Sequence, residues 1–327
     1  MEKEEQYLKQ FLLQKKNNTS FKKVCLSPLR YAGGKSKAVC LILNNLPKLR
    51  KKRIVSPFFG GGSFELCCSQ DLDIEIVGYD IFEVLVNFWN VLIHHKEKFI
   101  NELEKFEITK DEFTYNRHVL LNYWNKIKPK DLNYKTLKKI DLKKEDETKL
   151  DNNNILQAVY YYYNMTLSYG PMFLGWPSSN EINKNKFQRR IEKLKKMNLK
   201  NISLKCSDFE EVIKNHPNDF LFLDPPYYLE GDSKMFKGMY PNCNFAIHHN
   251  HFSHEKLRDL LKQHKGGFLM TYNNCSIIRE WYKDYKLEFP QWHYTYGQGE
   301  KRIGKNRQNT QNNIKESHEI FIICDPE

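Results

Sequence analysis

Among the features that this sequence lacks, a pattern of paired cysteines is the first to exclude a class of protein. The 327 residues include eight cysteines but no C-x-x-C pair. The adjacent Cys67 and Cys68 suit neither a metal site nor an ordinary disulfide framework. A disulfide-rich secreted domain is therefore excluded, and we expect reduced thiols, no bound metal and an intracellular location.

The sequence also has no apolar run long enough to span a membrane. Its first ten residues, MEKEEQYLKQ, are charged where a secretory signal would be apolar. It contains no internal repeats. We therefore expect neither export nor a membrane partner.

Positive charge, in contrast, is in excess. The chain has 52 Lys and Arg against 40 Asp and Glu, which gives a net charge of +12 at pH 7. A hydrophobic content of 40% and an aromatic content of 14% still allow a real core. The charge indicates a polyanionic partner, either nucleic acid or an acidic membrane surface. A basic surface that is merely solvated is the alternative.

The order of predicted elements indicates an α/β protein with a helical insertion. KKRIVSPFFGGGSFELCC reads as strand, glycine turn and helix, and DIEIVGYD as a second strand. Residues 97–200 change to lysine- and asparagine-rich sequence followed by an aromatic helix, after which strands and helices alternate again. We predict an N-terminal extension (1–20), a catalytic domain (21–96 and 201–327) and a target-recognition insertion (97–200).

A glycine cluster lies between the first predicted strand and its helix. Gly60, Gly61 and Gly62 allow a ligand to approach the backbone, and the helix N-terminus supplies unpaired N–H groups. Asp80 closes the next strand, at the spacing from which an acid reaches ribose hydroxyls in dinucleotide folds. The pattern favours a cofactor that contains a nucleoside, with a tight turn that binds nothing as the alternative.

The segment LRYAGGKSK resembles a phosphate-binding loop only superficially. That loop requires glycine where Leu29 stands, and it follows a strand, whereas this segment precedes the first one. We reject the nucleoside triphosphatase interpretation. The segment either presents Tyr31 and Lys35 to an acidic group or is an exposed loop.

The segment FLDPPY places an acid, two prolines and an aromatic at the end of a buried strand. An amine on an aromatic ring is a poor nucleophile, because its lone pair is delocalised. The Asp224 carboxylate and the Pro225 carbonyl can each accept one N–H, and the Pro225-Pro226 pair fixes the backbone so that this carbonyl is correctly directed. Tyr227 offers a ring for a planar base, which must have left its duplex. An ordinary exit from a strand is the alternative.

In their order along the chain, these motifs resemble the Dam-like (D12 class, alpha group) DNA adenine N6-methyltransferases. The matching segments are RYAGGK, PFFGGGSF, VGYDIFEVLVNFW, KCSDFEEVI, FLDPPY, FSHEKLRDLLKQHKGGFLMTYNN and REWY. The resemblance implies a Rossmann-like sheet that uses S-adenosylmethionine and acts on double-stranded DNA, with a cognate restriction endonuclease as a possible partner. The tract SYGPMFLGWPSS departs from the family in lacking an arginine, so the recognised DNA sequence does not transfer.

The resemblance also implies roles for individual residues. The residues implied to be catalytic are Asp224, Pro225, Pro226 and Tyr227. Those implied to bind the cofactor are Tyr31, Gly34, Lys35, Phe59, Gly60, Gly61, Gly62, Asp80, Asp208, Phe209 and Asp224. For DNA contacts we predict Arg30, Tyr169, Arg189, Arg190, Lys193 and Arg302, mainly because the tract from Lys184 to Lys200 and the loop near Arg302 are basic.

Three other functions remain compatible with the sequence. The same chemistry on RNA is one, because a basic surface does not distinguish the two nucleic acids. A non-catalytic binding protein on an enzyme scaffold is the second, although the intact Lys35, Asp80 and Asp224 argue against it. Methylation of cytosine N4 is the third, and relatives with that activity usually carry serine where Asp224 stands.

Overall fold

The computed structural model of the protein describes residues 27–130, 132, 134–170, 173–230, 252–290 and 318–327. The predicted extension 1–20 and Arg302 lie outside these residues. Within them, seven strands form one sheet in the order β3-β2-β1-β4-β5-β7-β6. The strands are β1 (Arg53–Ser56), β2 (Glu75–Asp80), β3 (Ile202–Cys206), β4 (Leu221–Leu223), β5 (Phe268–Asn273), β6 (Lys286–Glu288) and β7 (Glu319–Cys324).

The sheet is parallel except at one edge. Strand β1 pairs in parallel with β2 and β4, while β7 runs antiparallel between β5 and β6. Chain order therefore reverses at β1 and β4, which is the switch point where open α/β sheets bind ligands. This arrangement confirms the predicted Rossmann-like fold.

Eleven helices are present in the described part of the chain. They are α1 (Val39–Asn44), α2 (Ser63–Leu72), α3 (Glu83–His94), α4 (Lys96–Leu103), α5 (Lys110–Ile127), α6 (Tyr134–Leu137), α7 (Asn154–Leu167), α8 (Lys184–Lys196), α9 (Phe209–Asn215), α10 (His254–Leu261) and α11 (Ser276–Trp281). No described helix is both long and apolar enough to cross a membrane.

Successive strand residues send their side chains into two separate cores, as the two-residue period of a strand requires. Ile54 and Phe222 belong to one apolar cluster, and Val55, Leu221 and Leu223 belong to the other. Helices α2 and α3 cover the first face of the sheet, and α9, α10 and α11 cover the second. Both faces are thus buried, as parallel sheets require.

The insertion shares the first of these cores with the sheet. Helix α7 packs against α3 and α5, and its run Tyr160–Tyr163 is buried. The Tyr162 ring stacks on Phe88 of α3, with ring centroids 5.6 Å apart and planes 6° apart. The division into catalytic and target-recognition domains stays a prediction, since the apolar cluster is continuous across the predicted boundary.

Six cysteines among the described residues, including Cys67 and Cys68, are thiols outside any disulfide bond. The part of the chain that the structure describes contains no group of three or more side chains able to hold a metal ion.

Candidate active site

The carboxyl ends of four adjacent parallel strands, β3, β2, β1 and β4, bring the sequence motifs together. The glycine loop follows β1, Asp80 ends β2, Asp208 lies just beyond β3, and Asp224 directly follows β4. Because parallel strands end at the same edge, motifs far apart in sequence become neighbours there. The edge beside the switch point is the candidate active site.

The glycine loop is covered by the segment that carries Tyr31. Gly60 and Gly62 have φ values of +48° and +62°, a region that favours glycine. A Cβ atom at Gly61 would lie 2.8 Å from the Cβ of Tyr31, and one at Gly60 would lie 3.0 Å from its ring. The two motifs therefore form one surface, and close packing of Tyr31 accounts for part of the need for glycine.

Asp80 connects this loop to the end of β2. Its Oδ2 accepts a hydrogen bond from the N–H of Gly60 (2.9 Å), and its Oδ1 accepts one from the N–H of Phe82 (3.0 Å). Burial raises the pKa of Asp80 to about 6, although these N–H groups oppose the shift. Each carboxylate oxygen can accept a second bond, so Asp80 retains acceptor capacity for a hydroxyl of a bound ligand.

The two phenylalanines before the glycines have different surroundings. The buried Phe59 packs edge-to-face on Trp89 (5.2 Å), whose indole N–H donates to the Gly60 carbonyl (3.1 Å). Its neighbour Phe58 stacks on Phe209 (5.6 Å), next to Phe252. Phe59 therefore packs against the buried side of the glycine loop. Phe58 and Phe252 are candidate site residues that the sequence reasoning did not single out. The doubled phenylalanine was the available signal for Phe58, and Phe252 opens the matching segment FSHEKLRDLLKQHKGGFLMTYNN.

Asp208 and Phe209 begin the helix that follows β3. The carboxylate of Asp208 accepts the N–H of Glu210 (2.8 Å) and so caps α9. Together with Phe58, Phe209 forms an aromatic surface beside the glycine loop.

Asp224 is held by two side chains from distant parts of the sequence. The Lys35 ammonium donates to Oδ1 (2.6 Å) and Oδ2 (2.8 Å) of Asp224, and also to the Gly33 carbonyl (2.9 Å). The Thr271 hydroxyl donates to Oδ1 at 2.7 Å. Lys35 is 5% exposed and the side chain of Asp224 is 23% exposed. The residue predicted to contact cofactor is thus paired with the predicted catalytic acid.

The aromatic residue of the FLDPPY segment is buried. The Tyr227 ring stacks on Tyr272 (5.7 Å), and the Lys35 ammonium lies 5.1 Å from its centroid. Its hydroxyl lies 2.5 Å from Oε2 of Glu319 and 3.5 Å from Oδ1 of Asp224. Pro225 is buried and Pro226 partly buried.

Asn273 fixes the backbone after this segment. Its side-chain oxygen accepts the N–H of Tyr228 (2.8 Å), and its amide nitrogen donates to the carbonyl of Tyr228 (2.6 Å). Sequence reasoning singled out none of Thr271, Asn273 and Glu319. The first two lie in the matching segment that ends GGFLMTYNN, but no role was assigned to them, and Glu319 lies on a buried strand outside every matching segment.

Comparison with protein families agrees with this arrangement. The model of the D12 class N6 adenine-specific DNA methyltransferases matches residues 31–296. The chain belongs to this family. A search of curated proteins gave no match. The protein is therefore an adenine-specific DNA methyltransferase with a Rossmann-like sheet.

The predicted DNA-contact arginines of this D12 class enzyme fall into two groups. Arg30 donates to the carbonyls of Thr166 (3.2 Å) and Ser168 (2.9 Å). Arg190 also donates to the Thr166 carbonyl, and it pairs with Glu181. These two arginines therefore connect the RYAGGK segment, α8 and the end of α7.

Arg189 and Lys193, by contrast, are exposed on α8 and have no carboxylate partner among the described residues. Phe187, Ile191 and Leu194 bury the opposite face of the same helix. The free positive charge of the enzyme's α8 therefore faces solvent.

Two large aromatic side chains project from the enzyme's insertion. Tyr169 is 59% exposed and Trp176 is 62% exposed. The N–H of Tyr169 donates to the carbonyl of Trp176 (2.8 Å), which closes a short hairpin. The Arg117 guanidinium lies 4.1 Å from the Trp176 ring centroid. Trp176 lies in the tract SYGPMFLGWPSS, which departs from the family, but sequence reasoning did not single it out.

Proposed function

We propose that the enzyme transfers the methyl group of S-adenosylmethionine to N6 of an adenine turned out of duplex DNA. The observation that carries this proposal is the grouping of Asp224, Lys35 and Thr271 at the end of β4, next to the glycine loop. Asp224 is the proposed acceptor of the adenine amine. The family fixes the reaction and the base, and the arrangement of side chains supports the roles given below.

The residues beside the switch point fit a cofactor with a nucleoside portion. Asp80 retains acceptor capacity for ribose hydroxyls, and Phe58 with Phe209 offers an apolar surface for adenine. The backbone of the glycine loop lies next to both Asp80 and this aromatic surface. S-adenosylmethionine would supply an electrophilic methyl group bound to a positively charged sulfur.

The two oxygens of Asp224 are not equivalent. Oδ1 is contacted by Lys35, Thr271 and, at 3.5 Å, Tyr227. Oδ2 is contacted by Lys35 among the described residues, so it has more remaining acceptor capacity. We assign Oδ2 as the oxygen that accepts one N–H of the adenine amine, while the Pro225 carbonyl accepts the other. These bonds would localise the lone pair on nitrogen. The bond between nitrogen and the methyl carbon would form as the bond between that carbon and the cofactor sulfur breaks, which leaves a neutral thioether, and the amine would then release one proton to solvent.

The position of Tyr227 constrains how a base enters. One face of its ring packs on Tyr272, and Lys35 lies over the ring. A base that stacks on Tyr227 would take the place of the Lys35 ammonium. Base entry and a shift of Lys35 towards the cofactor are therefore coupled in this proposal.

The proposed function is tested by expressing the enzyme in a host whose DNA lacks methylation. Sequencing of that host's genome should show N6-methyladenine within one recurring sequence, and none with Asp224→Ala. Methyl incorporation into duplex DNA, single-stranded DNA and RNA is compared in parallel. N4-methylcytosine as the main product, or RNA as the better substrate, would contradict the proposal.

We further propose that the exposed face of α8 contacts DNA phosphates. Neutralising Arg189 and Lys193 with glutamine should weaken binding to all DNA sequences alike. It should also lower the slope of log K against log salt by roughly 0.9 for each lost phosphate contact. Base discrimination should persist, because phosphate contacts position the protein and base contacts specify the sequence. The exposed Tyr169 and Trp176 are the proposed base-reading aromatics.

Lys195→Gln on the same helix is the matched control, because Lys195 already pairs with Glu104 (2.9 Å) and Glu192 (3.1 Å). Binding titrations at several salt concentrations measure both slopes. A double variant at Arg189 and Lys193 with the parental slope would identify this surface as an ordinary solvated helix.

A further inference from the structure

A buried glutamate lies behind the proposed catalytic acid. Glu319 begins β7 opposite Asn273 of β5 and is 1% exposed. Its Oε2 is 2.5 Å from the Tyr227 hydroxyl, whereas its Oε1 has no hydrogen-bond partner among the described residues. The same hydroxyl lies 3.5 Å from Oδ1 of Asp224. One hydroxyl group therefore stands between two carboxyl groups.

The number of available protons favours one direction for the hydrogen bonds that connect Glu319, Tyr227 and Asp224. A tyrosine hydroxyl has a single proton to donate, so it cannot donate to two ionised carboxylates at once. If Glu319 carries a proton, its own O–H donates to the Tyr227 oxygen. The Tyr227 proton is then available to Asp224 Oδ1. With both acids ionised, one carboxylate would face a lone pair of the tyrosine in a buried place, which is costly.

The charges around Glu319 agree with a protonated acid. The charged or titratable groups that face it are Lys35, Asp224 and Tyr227. The Lys35 ammonium donates to both oxygens of Asp224, so its charge is largely balanced by that carboxylate. Burial raises the pKa of Glu319 to about 8, with Asp224 acting in the same direction and Lys35 and Tyr227 opposing it.

We propose that Glu319 is a positioning residue for methyl transfer. As a neutral acid it directs the Tyr227 hydroxyl towards Asp224 Oδ1, which leaves Oδ2 to accept the adenine amine. This inference rests on the role given to Asp224 in the proposed function. Glu319 itself touches neither the amine nor the reacting atoms in this scheme.

The scheme sets the sign of a pH effect. Below about pH 8 Glu319 is neutral and donates to Tyr227. As the pH rises through that value, Glu319 ionises and becomes an acceptor, so it draws the Tyr227 proton away from Asp224. We therefore expect kcat to fall on the alkaline side.

Three variants test the proposal, with S-adenosylmethionine and unmethylated genomic DNA as substrates. Glu319→Gln stays neutral and can still donate, so kcat near neutral pH should stay close to that of the parent and the alkaline fall should disappear. Glu319→Leu cannot donate, and kcat should fall about 10- to 100-fold with KM little changed. Glu65→Gln is the matched control. Glu65 is buried with a pKa also raised to about 8 by burial, but its carboxyl bonds Ser56 (2.7 Å). This control should keep the alkaline fall.

A spectroscopic measurement makes the test independent of activity. At neutral pH, the infrared spectrum should contain a protonated-carboxyl band from Glu319 that Glu319→Gln removes, and Glu65→Gln, whose own acid is also neutral there, should remove a different band and leave this one in place. Should the leucine variant fail to fold, Tyr227→Phe replaces it, because loss of the hydroxyl should also abolish the alkaline fall.

The proposal is overturned if Glu319→Gln loses as much activity as the leucine variant, or if it keeps the alkaline fall. It is equally overturned if the infrared band is absent from the parent. Asp224→Asn is assayed alongside these variants. An active Asp224→Asn enzyme would contradict the proposed function instead, so the two failures are distinguishable.

Discussion

Replacing Asp224 with alanine is expected to lower kcat for adenine methylation by about 10²–10⁴-fold, the usual loss for a polar catalytic group. The carboxylate follows β4 directly and has one oxygen with acceptor capacity to spare. Without it, only the Pro225 carbonyl is left to accept an N–H of the adenine amine, so the lone pair is localised much less. Single-turnover methylation of unmethylated DNA measures the loss, and calorimetry checks that the cofactor still binds. Near-normal turnover would remove Asp224 from the mechanism.

Asp224→Asn separates the charge of this side chain from its shape. The amide keeps an oxygen that can accept the Thr271 hydroxyl, which now donates at 2.7 Å. A neutral oxygen accepts an amine N–H more weakly than a carboxylate does. Turnover should therefore fall nearly as far as in the alanine variant. Parental turnover would show that the charge is not needed.

The positions of these acids could be predicted from the sequence, because they depend on strand ends. Asp80 and Asp224 each follow a short apolar run, and parallel strands bring such ends to one edge of the sheet. The fold class followed from the same alternation of strands and helices. The aromatic helix α7 could also be predicted from the sequence. Its packing on α3 could not, because helical periodicity shows which face is buried but not which element covers it.

The pairing of Lys35 with Asp224 had no local signal. The two residues are 189 positions apart, and no spacing rule connects them. The same holds for Thr271 and Glu319, which look like ordinary residues of apolar strands. Local sequence also could not decide whether Phe58 or Phe59 supports the loop, because that depends on which side of the turn meets Trp89.

The excess of basic residues correctly indicated a polyanionic partner, but it did not indicate which basic side chains are unpaired and exposed. Arg189 and Arg190 are adjacent in a run of like charge, yet Arg190 pairs with Glu181 and Arg189 faces solvent. Successive positions on a helix point about 100° apart, so neighbours in a charged run meet different surroundings. Only the packed structure separates them.

Lys35→Met is expected to destabilise the protein as well as impair its activity. The substitution removes the cation from a largely buried carboxylate and costs about 3 kcal/mol in the free energy of unfolding, the lower end for a broken buried ion pair, because Asp224 is partly exposed. Cofactor affinity should fall more than DNA affinity, since the family resemblance assigns Lys35 to cofactor binding. Denaturant unfolding and calorimetry measure the two effects. Lys37→Met is the control, because Lys37 has no carboxylate partner among the described residues.

Combining Lys35→Met with Asp224→Asn should restore much of the lost stability while the enzyme stays inactive. The cost of the single change comes mostly from leaving one buried charge without its partner, so removing both charges removes that cost. The free energy of unfolding of the double variant should therefore exceed that of Lys35→Met alone. If the two single losses simply add, the residues are not coupled and the ion pair does not exist in solution. A coupled pair in an inactive protein would show that Lys35 and Asp224 hold each other in place until adenine and cofactor enter the site.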